Sequence, residues 1–190
     1  MSTSAKQHIT IAISGASGAI YALRLINKLK NLTDQVAGLS VVFTQNASEI
    51  WKQELQAPLP KGDKITIYTN NNFYAPIASG SSKTNRMIII PASMGVIGRI
   101  AHGTSDDLIT RAADVMLKER RQLIVVPREA PYNLIHIRNM EALTLAGAII
   151  CPATPSFYQQ PKTIEELVDS VIDRIIDLMG ISHDTFRWGQ

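Results

Sequence analysis

Short runs of apolar residues alternate with longer amphipathic segments along the whole chain. Five runs are nearly continuous in apolar residues, as is typical of strands buried on both faces of a parallel sheet. These predicted strands are His8–Ile13, Val36–Phe43, Met87–Ile90, Leu123–Val126 and Ala148–Cys151, and a further candidate is Lys64–Tyr68.

The segments between these runs have the periodicity of amphipathic helices. In the last of them, Thr163 and Glu166 have the spacing of a capping box, and Gly180 suits the residue after the helix end. The predicted helices are Ile20–Leu29, Ala47–Leu55, a helix capped within 104–107 that runs to about Glu119, Asn133–Ala146, and the one after Thr163. Strand–helix alternation predicts a doubly wound α/β fold, with residues 1–190 forming a single domain.

Three of the apolar runs end in proline, in the stretches MIIIPASMG, LIVVPREAP and AIICPATPSFY. Proline cannot continue a central strand, so each proline is interpreted as the carboxyl edge of a strand. Ligands of open α/β sheets bind outside these edges. The candidate site residues are therefore Ser93, Arg128, Glu129 and Tyr158.

The stretch SGASGA follows the first strand. Gly15 and Gly18 have G-x-x-G spacing, and residue 13 is isoleucine, so the dinucleotide fingerprint G-x-G-x-x-G is absent. Backbone amides, the Ser17 hydroxyl and a helix amino end could cradle an anion here. A plain tight turn explains the same residues.

Composition narrows the classes of function. The chain has 190 residues, a formal net charge of +3, 18% charged and 6% aromatic residues. A globular protein is indicated, with no polyanion partner such as nucleic acid. Cys151 is the sole cysteine, no signal peptide or membrane span is apparent, and the four histidines lack metal-ligand spacing. We expect a cytoplasmic protein that uses no metal.

Several charged residues have two interpretations. Arg111 and Lys118 share a helix face with Asp114, which is typical of surface ion pairs and equally of a cationic wall beside a phosphate. Arg174 is the only basic residue in an apolar helix, where it either extends to solvent or faces a phosphate site. Glu54 reads as a solvated helix residue. Ser93 could cap a helix or bind a ligand.

Five of these segments together resemble the flavin prenyltransferases of the UbiX type. They are SGASGAIYALRL, ASGSS, PASMG, RAADVMLKERRQLIVVPREAPYNL and FYQQPKTIEELVD, and the resemblance runs from about Ile9 to Trp188. It implies a flavodoxin-like Rossmann three-layer sandwich with a mainly parallel sheet. It also implies a metal-independent transfer of a dimethylallyl group to N5 and C6 of reduced FMN.

The resemblance further implies the donor, the product and the partners. The donor would be dimethylallyl monophosphate, with the diphosphate as an alternative, and the product would be prenylated FMN. A decarboxylase of the UbiD type would receive this product as its cofactor. Members of the family assemble as dodecamers, with the site where subunits meet.

Roles for individual residues follow from the same motifs. Ser17 and Glu54 would relay protons, and Phe73 would stand where several relatives carry a tryptophan in the prenyl pocket. Glu129 and Arg111 would support the substrate site. The residues implied to bind FMN are Gly15, Ala16, Ser17, Thr44, Ser93, Met94, Gly95, Val96 and Arg128. Those implied to hold the prenyl phosphate are Lys118, Arg128, Tyr158 and Arg174.

Three other functions compete with this one. A flavin-dependent cysteine decarboxylase has a similar first turn, but it uses a histidine on an early helix and a P-x-M-N-x-x-M-W motif, where this chain has PREAPYNL. A non-catalytic flavin carrier would not need the cluster of cations. An NAD-dependent dehydrogenase would need the missing glycine and an acidic residue after the second strand.

Overall fold

The structure is a computed structural model that describes residues 5–187 and residue 189. Met1–Ser4, Trp188 and Gln190, which belong to the predicted single domain, lie outside the described residues.

The described residues form a sheet of six parallel strands. In chain order these are β1 (Gln7–Ile13), β2 (Val36–Phe43), β3 (Ile65–Thr69), β4 (Thr84–Ala92), β5 (Gln122–Pro127) and β6 (Ile149–Ile150). Their order across the sheet is β3-β2-β1-β4-β5-β6, so the chain moves outward from β1 in one direction and from β4 in the other. The crevice between the carboxyl ends of β1 and β4 is therefore the place where a ligand is expected.

Helices cover the two faces of this sheet. They are α1 (Ala19–Asn31), α2 (Gln45–Leu55), α3 (Met94–Ala101), α4 (Leu108–Lys118), α5 (Leu134–Leu145) and α6 (Ile164–Leu178). The odd-numbered β1 residues Ile9, Ile11 and Ile13 pack against α1, α2 and α6, whereas Ala12 belongs to the core under α3, α4 and α5. The predicted three-layer sandwich with a parallel doubly wound sheet is confirmed.

The prolines mark the strand ends with small differences from prediction. β5 ends at Pro127, but β4 passes through Pro91 and ends at Ala92. The pairing of β4 with β5 becomes irregular between Ile89 and Ala92, which is how a proline is accommodated next to a neighbouring strand. The predicted capping box of α6 is only half formed. Thr163 accepts a hydrogen bond from the Glu166 amide, but the Glu166 carboxylate accepts one from Lys162.

Candidate functional site

A buried serine joins the two strands that flank the crevice. Ser14 is almost completely buried, and its hydroxyl donates to the carbonyl of Pro91 at 2.8 Å and accepts from the Ser93 amide at 2.7 Å. These bonds fix the turn after β1 against the turn after β4. Ser14 was not among the residues predicted from the sequence. The available signal was a hydroxyl directly after a mostly apolar strand.

The first turn, Gly15–Gly18, binds an anion that belongs to the protein itself. One Glu54 carboxylate oxygen accepts from the amides of Gly18 at 2.9 Å and Ala19 at 2.8 Å. These are the first amides of α1, where the helix dipole favours negative charge. The expectation of an anion cradle is therefore met by Glu54, and an external phosphate has to find other donors.

Helix α2 places Glu54 there because it lies along the first turn. Asn46 in its first helical turn is so close to Gly15 that an added Cβ at Gly15 would lie 2.9 Å from the Asn46 Cβ. Glu54 in its last helical turn reaches Gly18. Periodicity within α2 cannot reveal this, because the interaction depends on how the helix packs and not on its own pattern.

The environment of Glu54 favours its charged form. Burial raises the pKa of this carboxyl, but hydrogen bonds from the Ser17 side chain and the Ala19 and Gly18 amides, together with the charge of Arg128, lower the pKa below its ordinary value. Arg128 is held nearby by a bond from its Nε to the Ser17 carbonyl at 2.9 Å. The predicted pair Ser17 and Glu54 and the predicted cation Arg128 thus come together.

Two helices begin at the same edge of the sheet. Thr44 caps α2 through a bond from the Ala47 amide at 3.1 Å, and Ser93 caps α3 with a longer bond of 3.5 Å from the Val96 amide. Gly95 is exposed in the first turn of α3, and an added Cβ would meet no heavy atom within 4 Å. Nothing in the packing of the described residues requires glycine there, which indicates room kept for a ligand.

The other predicted flavin-binding residues face inward. The side chains of Ala16, Met94 and Val96 are buried. Met94 and Val96 belong to the core under α3 and α4. They can therefore contact a bound cofactor mainly through their backbone atoms.

A second feature is a cavity of about 620 Å³ beyond the end of β6. Tyr158 and Arg174 both line it. The residues after β6 continue the sheet pattern, because the Ala153 amide donates to the Pro127 carbonyl at 3.1 Å. The cavity therefore lies next to the end of β5, where Arg128 follows Pro127.

Arg174 lines this cavity and is exposed. Asp173 and Asp177 line the same cavity, where Asp173 pairs with Lys28 and Asp177 pairs with Arg187. Among the residues that the structure describes, Arg174 has no ion pair, and its position fits both extension into solvent and contact with a phosphate.

Four predicted residues do not join this cluster within the chain. Phe73 lines a separate cavity of about 520 Å³ near the end of β3. Lys118 ends α4 near Gly80 and pairs with Glu119, at the edge of the sheet where strands begin. Arg111 donates to the Ala78 carbonyl at 3.1 Å and pairs with Asp114 at 2.9 Å. The Glu129 carboxylate accepts a bond from the amide of its own neighbour, Ala130.

The separation is too large for one small substrate to bridge. Strands β3 and β6 are the two ends of the sheet, five strand spacings apart, which is roughly 24 Å at the usual interval. Phe73 lies near one end, and Tyr158 and Arg174 lie near the other. If all three contact one prenyl phosphate, they must come from more than one copy of the chain.

The described residues contain neither a metal-binding cluster nor a membrane-spanning helix. Within residues 5–187 and 189, no three His, Cys, Asp or Glu side chains are grouped so that they could hold a metal ion. None of the helices in the same part of the chain is both long and apolar enough to cross a membrane.

Known proteins are similar to this chain in sequence and in fold over nearly its full length. The Flavoprotein family model matches residues 1–176. The flavin prenyltransferase UbiX of Methanocaldococcus jannaschii is 40% identical over 184 residues, which cover 95% of this chain and 98% of that protein. The structure of AnUbiX (PadA1) in complex with FMN and dimethylallyl pyrophosphate has a TM-score of 0.89 at 35% identity, covering 97% of this chain and 100% of its own.

A further solved structure is a dodecameric FMN-dependent UbiX-like decarboxylase from Escherichia coli. It has a TM-score of 0.88 at 34% identity, covering 97% of this chain and 100% of its own. This chain therefore belongs to the Flavoprotein family and, within it, to the flavin prenyltransferases of the UbiX type.

Proposed function

We propose that the protein transfers a dimethylallyl group from dimethylallyl monophosphate to N5 and C6 of reduced FMN. The product, prenylated FMN, would serve as cofactor for a decarboxylase of the UbiD type. The observation that carries this proposal is the cavity lined by Tyr158 and Arg174, in a chain of the flavoprotein family. A cavity lined by a cation suits a leaving phosphate.

The crevice between β1 and β4 fits FMN. Gly95 leaves open space at the start of α3, and Ser14 holds the two adjoining turns at a fixed distance. Because Glu54 occupies the amino end of α1, the FMN phosphate would be held by the amino ends of α2 and α3, which Thr44 and Ser93 begin. Bound reduced FMN supplies the nucleophilic N5 and C6 atoms.

The cations of the site act on the donor. When the allylic C–O bond breaks, the electron pair leaves with the phosphate, and its negative charge increases. Arg174 and Arg128 provide fixed positive charge that stabilises this change. Tyr158 can donate its hydroxyl to a phosphate oxygen. Val171 and Phe186, the large apolar side chains that line the cavity, would shield the allylic carbon from capture by water.

Glu54 is the group suited to take a proton. For the bond to C6 to form, the double bond of the dimethylallyl group takes up one proton, C6 bonds to the resulting tertiary carbon, and C6 gives up its own proton to a base. Glu54 is ionised because its pKa is lowered, and Ser17 hydrogen-bonds its carboxylate. We propose that Ser17 passes the proton from the flavin to Glu54.

The remaining predicted residues require assembly. We propose a cytoplasmic homododecamer of single-domain subunits, in which neighbouring copies supply Phe73 and Lys118 to the cavity of Tyr158 and Arg174. The wide separation of these residues within one chain supports a shared site, and one relative of 34% identity is itself dodecameric.

A direct test is to incubate the protein without oxygen with reduced FMN and dimethylallyl monophosphate, and to measure the mass of the extracted flavin. The expected result is a gain of one C5 prenyl unit and release of one phosphate for each flavin modified. The matched control is the variant Arg174→Met, in which an exposed side chain loses only its charge. It should retain FMN and lose most of the product.

One outcome would contradict the proposal. If the flavin gains no C5 unit with either the mono- or the diphosphate donor, the protein is not a flavin prenyltransferase. Tight FMN binding in the same samples would then favour a non-catalytic flavin carrier.

A further inference from the structure

The C-terminal tail, residues 181–187, forms one wall of the cavity that contains Tyr158 and Arg174. Thr185, Phe186 and Arg187 of this tail line the cavity opposite the residues that follow β6. The Phe186 ring is 48% exposed and is the large apolar group of this wall. The tail therefore contributes surface that a dimethylallyl group could cover.

Aspartates on α6 fasten the tail in this place. Asp173 accepts a 2.7 Å hydrogen bond from the Thr185 hydroxyl and lies 3.4 Å from Nε2 of His183, whose side chain is only 6% exposed. One helical turn later, Asp177 pairs with Arg187 at 2.6 Å and lies 3.8 Å from Nδ1 of the same histidine. Two successive turns of α6 thus bond the Thr185 and Arg187 side chains of the tail and lie against the His183 ring, whose Nε2 makes no hydrogen bond to the described residues.

A third attachment secures the start of the tail. The Gln35 side chain donates to the Ser182 carbonyl at 2.7 Å and accepts from the Ser182 amide at 2.9 Å. This pair of bonds anchors the backbone, so the Asp173 and Asp177 contacts decide only the course of residues 183–187.

The same helix carries an aspartate that serves a different purpose. Asp169 lies one turn before Asp173 and pairs with Arg24 at 2.5 Å and Lys28 at 3.1 Å, both on α1. It fastens α1 to α6 and has no recorded contact with the tail. Asp173 combines the two tasks, since it pairs with Lys28 as well as with Thr185.

We propose that Asp173, acting through Thr185, is a positioning residue that holds the C-terminal tail as a wall of the prenyl-phosphate cavity. This inference rests on the proposed function and adds a substrate-positioning role for the tail. Because Asp173 and Asp177 are engaged by the tail and α1, they also leave the adjacent Arg174 free to bind the donor. Loosening the tail would open the cavity to water and free an aspartate to pair with Arg174.

The cleanest test is Thr185→Val, which keeps the shape of the side chain and removes its hydroxyl. We expect the KM for dimethylallyl monophosphate to rise roughly three- to tenfold, the range expected when a typical hydrogen bond is lost, while kcat changes less than twofold. Hydrogen exchange at the amides of residues 183–187 should become faster. FMN affinity should be unchanged, since the tail does not line the crevice between β1 and β4.

Two further variants separate positioning from general stability. Asp173→Asn should raise the KM at least as much as Thr185→Val does. Asp169→Asn removes a comparable ion pair from the same helix and should lower the unfolding temperature without raising the KM. If Thr185→Val and Asp173→Asn leave the KM and the exchange of the tail unchanged, or if Asp169→Asn raises the KM equally, the positioning role is wrong.

Failure of this inference can be distinguished from failure of the proposed function. If the native protein prenylates FMN but the variants behave like it, only the inference fails. If the native protein does not prenylate FMN, calorimetry with dimethylallyl monophosphate and FMN-loaded protein still reports on the cavity. Weaker binding of dimethylallyl monophosphate by Thr185→Val than by native protein supports the positioning role of the tail. Equal binding by the two proteins, or no binding by native protein, overturns it.

Discussion

Glu54 is held as a carboxylate by the amino end of α1, and this determines which part of a proton transfer it can perform. Its oxygens accept bonds from the Gly18 and Ala19 amides, and its pKa is lowered. A group that is already ionised can accept a proton but has none to give. At neutral pH Glu54 is therefore suited to act as a base in the proposed reaction.

We predict that Glu54→Gln keeps FMN binding but slows prenylation. Glutamine preserves the shape and one acceptor oxygen for the α1 amides, but it cannot take up a proton. The expected fall in kcat is on the order of 10²- to 10⁴-fold, the usual contribution of a general base. Single-turnover measurement of prenylated FMN would check this. Glu49→Gln, at an exposed position of the same helix, is the control and should behave like the native protein.

The difference in unfolding free energy between native protein and Glu54→Gln should depend on pH in a defined direction. A lowered folded-state pKa means that the ionised Glu54 stabilises the fold above its unfolded pKa of about 4.3, and that this contribution is lost as pH falls through the folded-state pKa. Urea unfolding should therefore show native protein more stable than Glu54→Gln at pH 7, with the difference shrinking below about pH 4. A constant difference across this range would contradict the assignment.

The sequence predicts which residues belong to the site better than it predicts which groups those residues contact. Gly15, Ser17 and Gly18 were predicted to form either an anion-binding turn or a plain tight turn, and the anion found there is Glu54, 36 residues away from Gly18. Periodicity makes Glu54 a solvated helix residue, and only the family resemblance moved it into the site. Ser14 was not predicted, because its role is to join by hydrogen bonds two turns that are distant in sequence.

At the scale of elements, glycine stands at two positions of the crevice for different physical reasons. Gly18 caps α1 with φ of 107°, and an added Cβ would lie 3.0 Å from the Tyr21 ring. Its backbone conformation requires glycine. Gly95 begins α3 with open space around it, so only a bound ligand would give it a purpose.

We predict that Gly95→Ala stabilises the protein without FMN by up to about 1 kcal/mol, because alanine loses less entropy in a helix. The same change should weaken FMN binding by at least tenfold, since its methyl group occupies space that the flavin needs. Gly18→Ala should instead lower the unfolding free energy by about 1–2 kcal/mol, the cost of the left-handed conformation. Urea unfolding and flavin fluorescence titration measure the two quantities. Unchanged FMN affinity of Gly95→Ala would remove α3 from the flavin site.

Most strands and helices and the doubly wound parallel sheet were predictable from local pattern, whereas α3 was not among the predicted helices. The nearly continuous apolar run predicted β2 with its observed bounds, because Ser40 is the one polar residue within it. β4 continues beyond the predicted end at Ile90, since its pairing with β5 becomes irregular around Pro91. The position of α2 along the first turn depends on tertiary packing, which no periodicity encodes.

At the scale of the whole molecule, large apolar side chains remain uncovered. On α5, Leu134, Ile135, Ile137 and Leu145 are all more than half exposed, and Leu145 reaches 83%. Exposed large apolar side chains on one helix of a globular protein favour a protein–protein contact. Together with the separation of Lys118 from Arg174, they support the proposed assembly of several copies of the chain.

We predict that two inactive variants will restore activity when they assemble together. Lys118→Met and Arg174→Met each change an exposed side chain, so both should fold and bind FMN while losing prenylation. If one copy supplies Lys118 and another supplies Arg174, an equal random mixture has both native residues in about a quarter of its sites. Co-expression with two different tags, followed by double purification and the anaerobic assay, measures this fraction against native protein.

The matched control for this complementation is the double variant Lys118→Met, Arg174→Met co-expressed with native protein. An equal random mixture again leaves about a quarter of sites intact when the two residues come from different copies, but about a half when they come from the same copy. In that second case the two single variants would restore nothing, because every site would lack one cation. Activity of the mixed singles no higher than that of either alone would therefore show that Lys118 and Arg174 do not meet across copies.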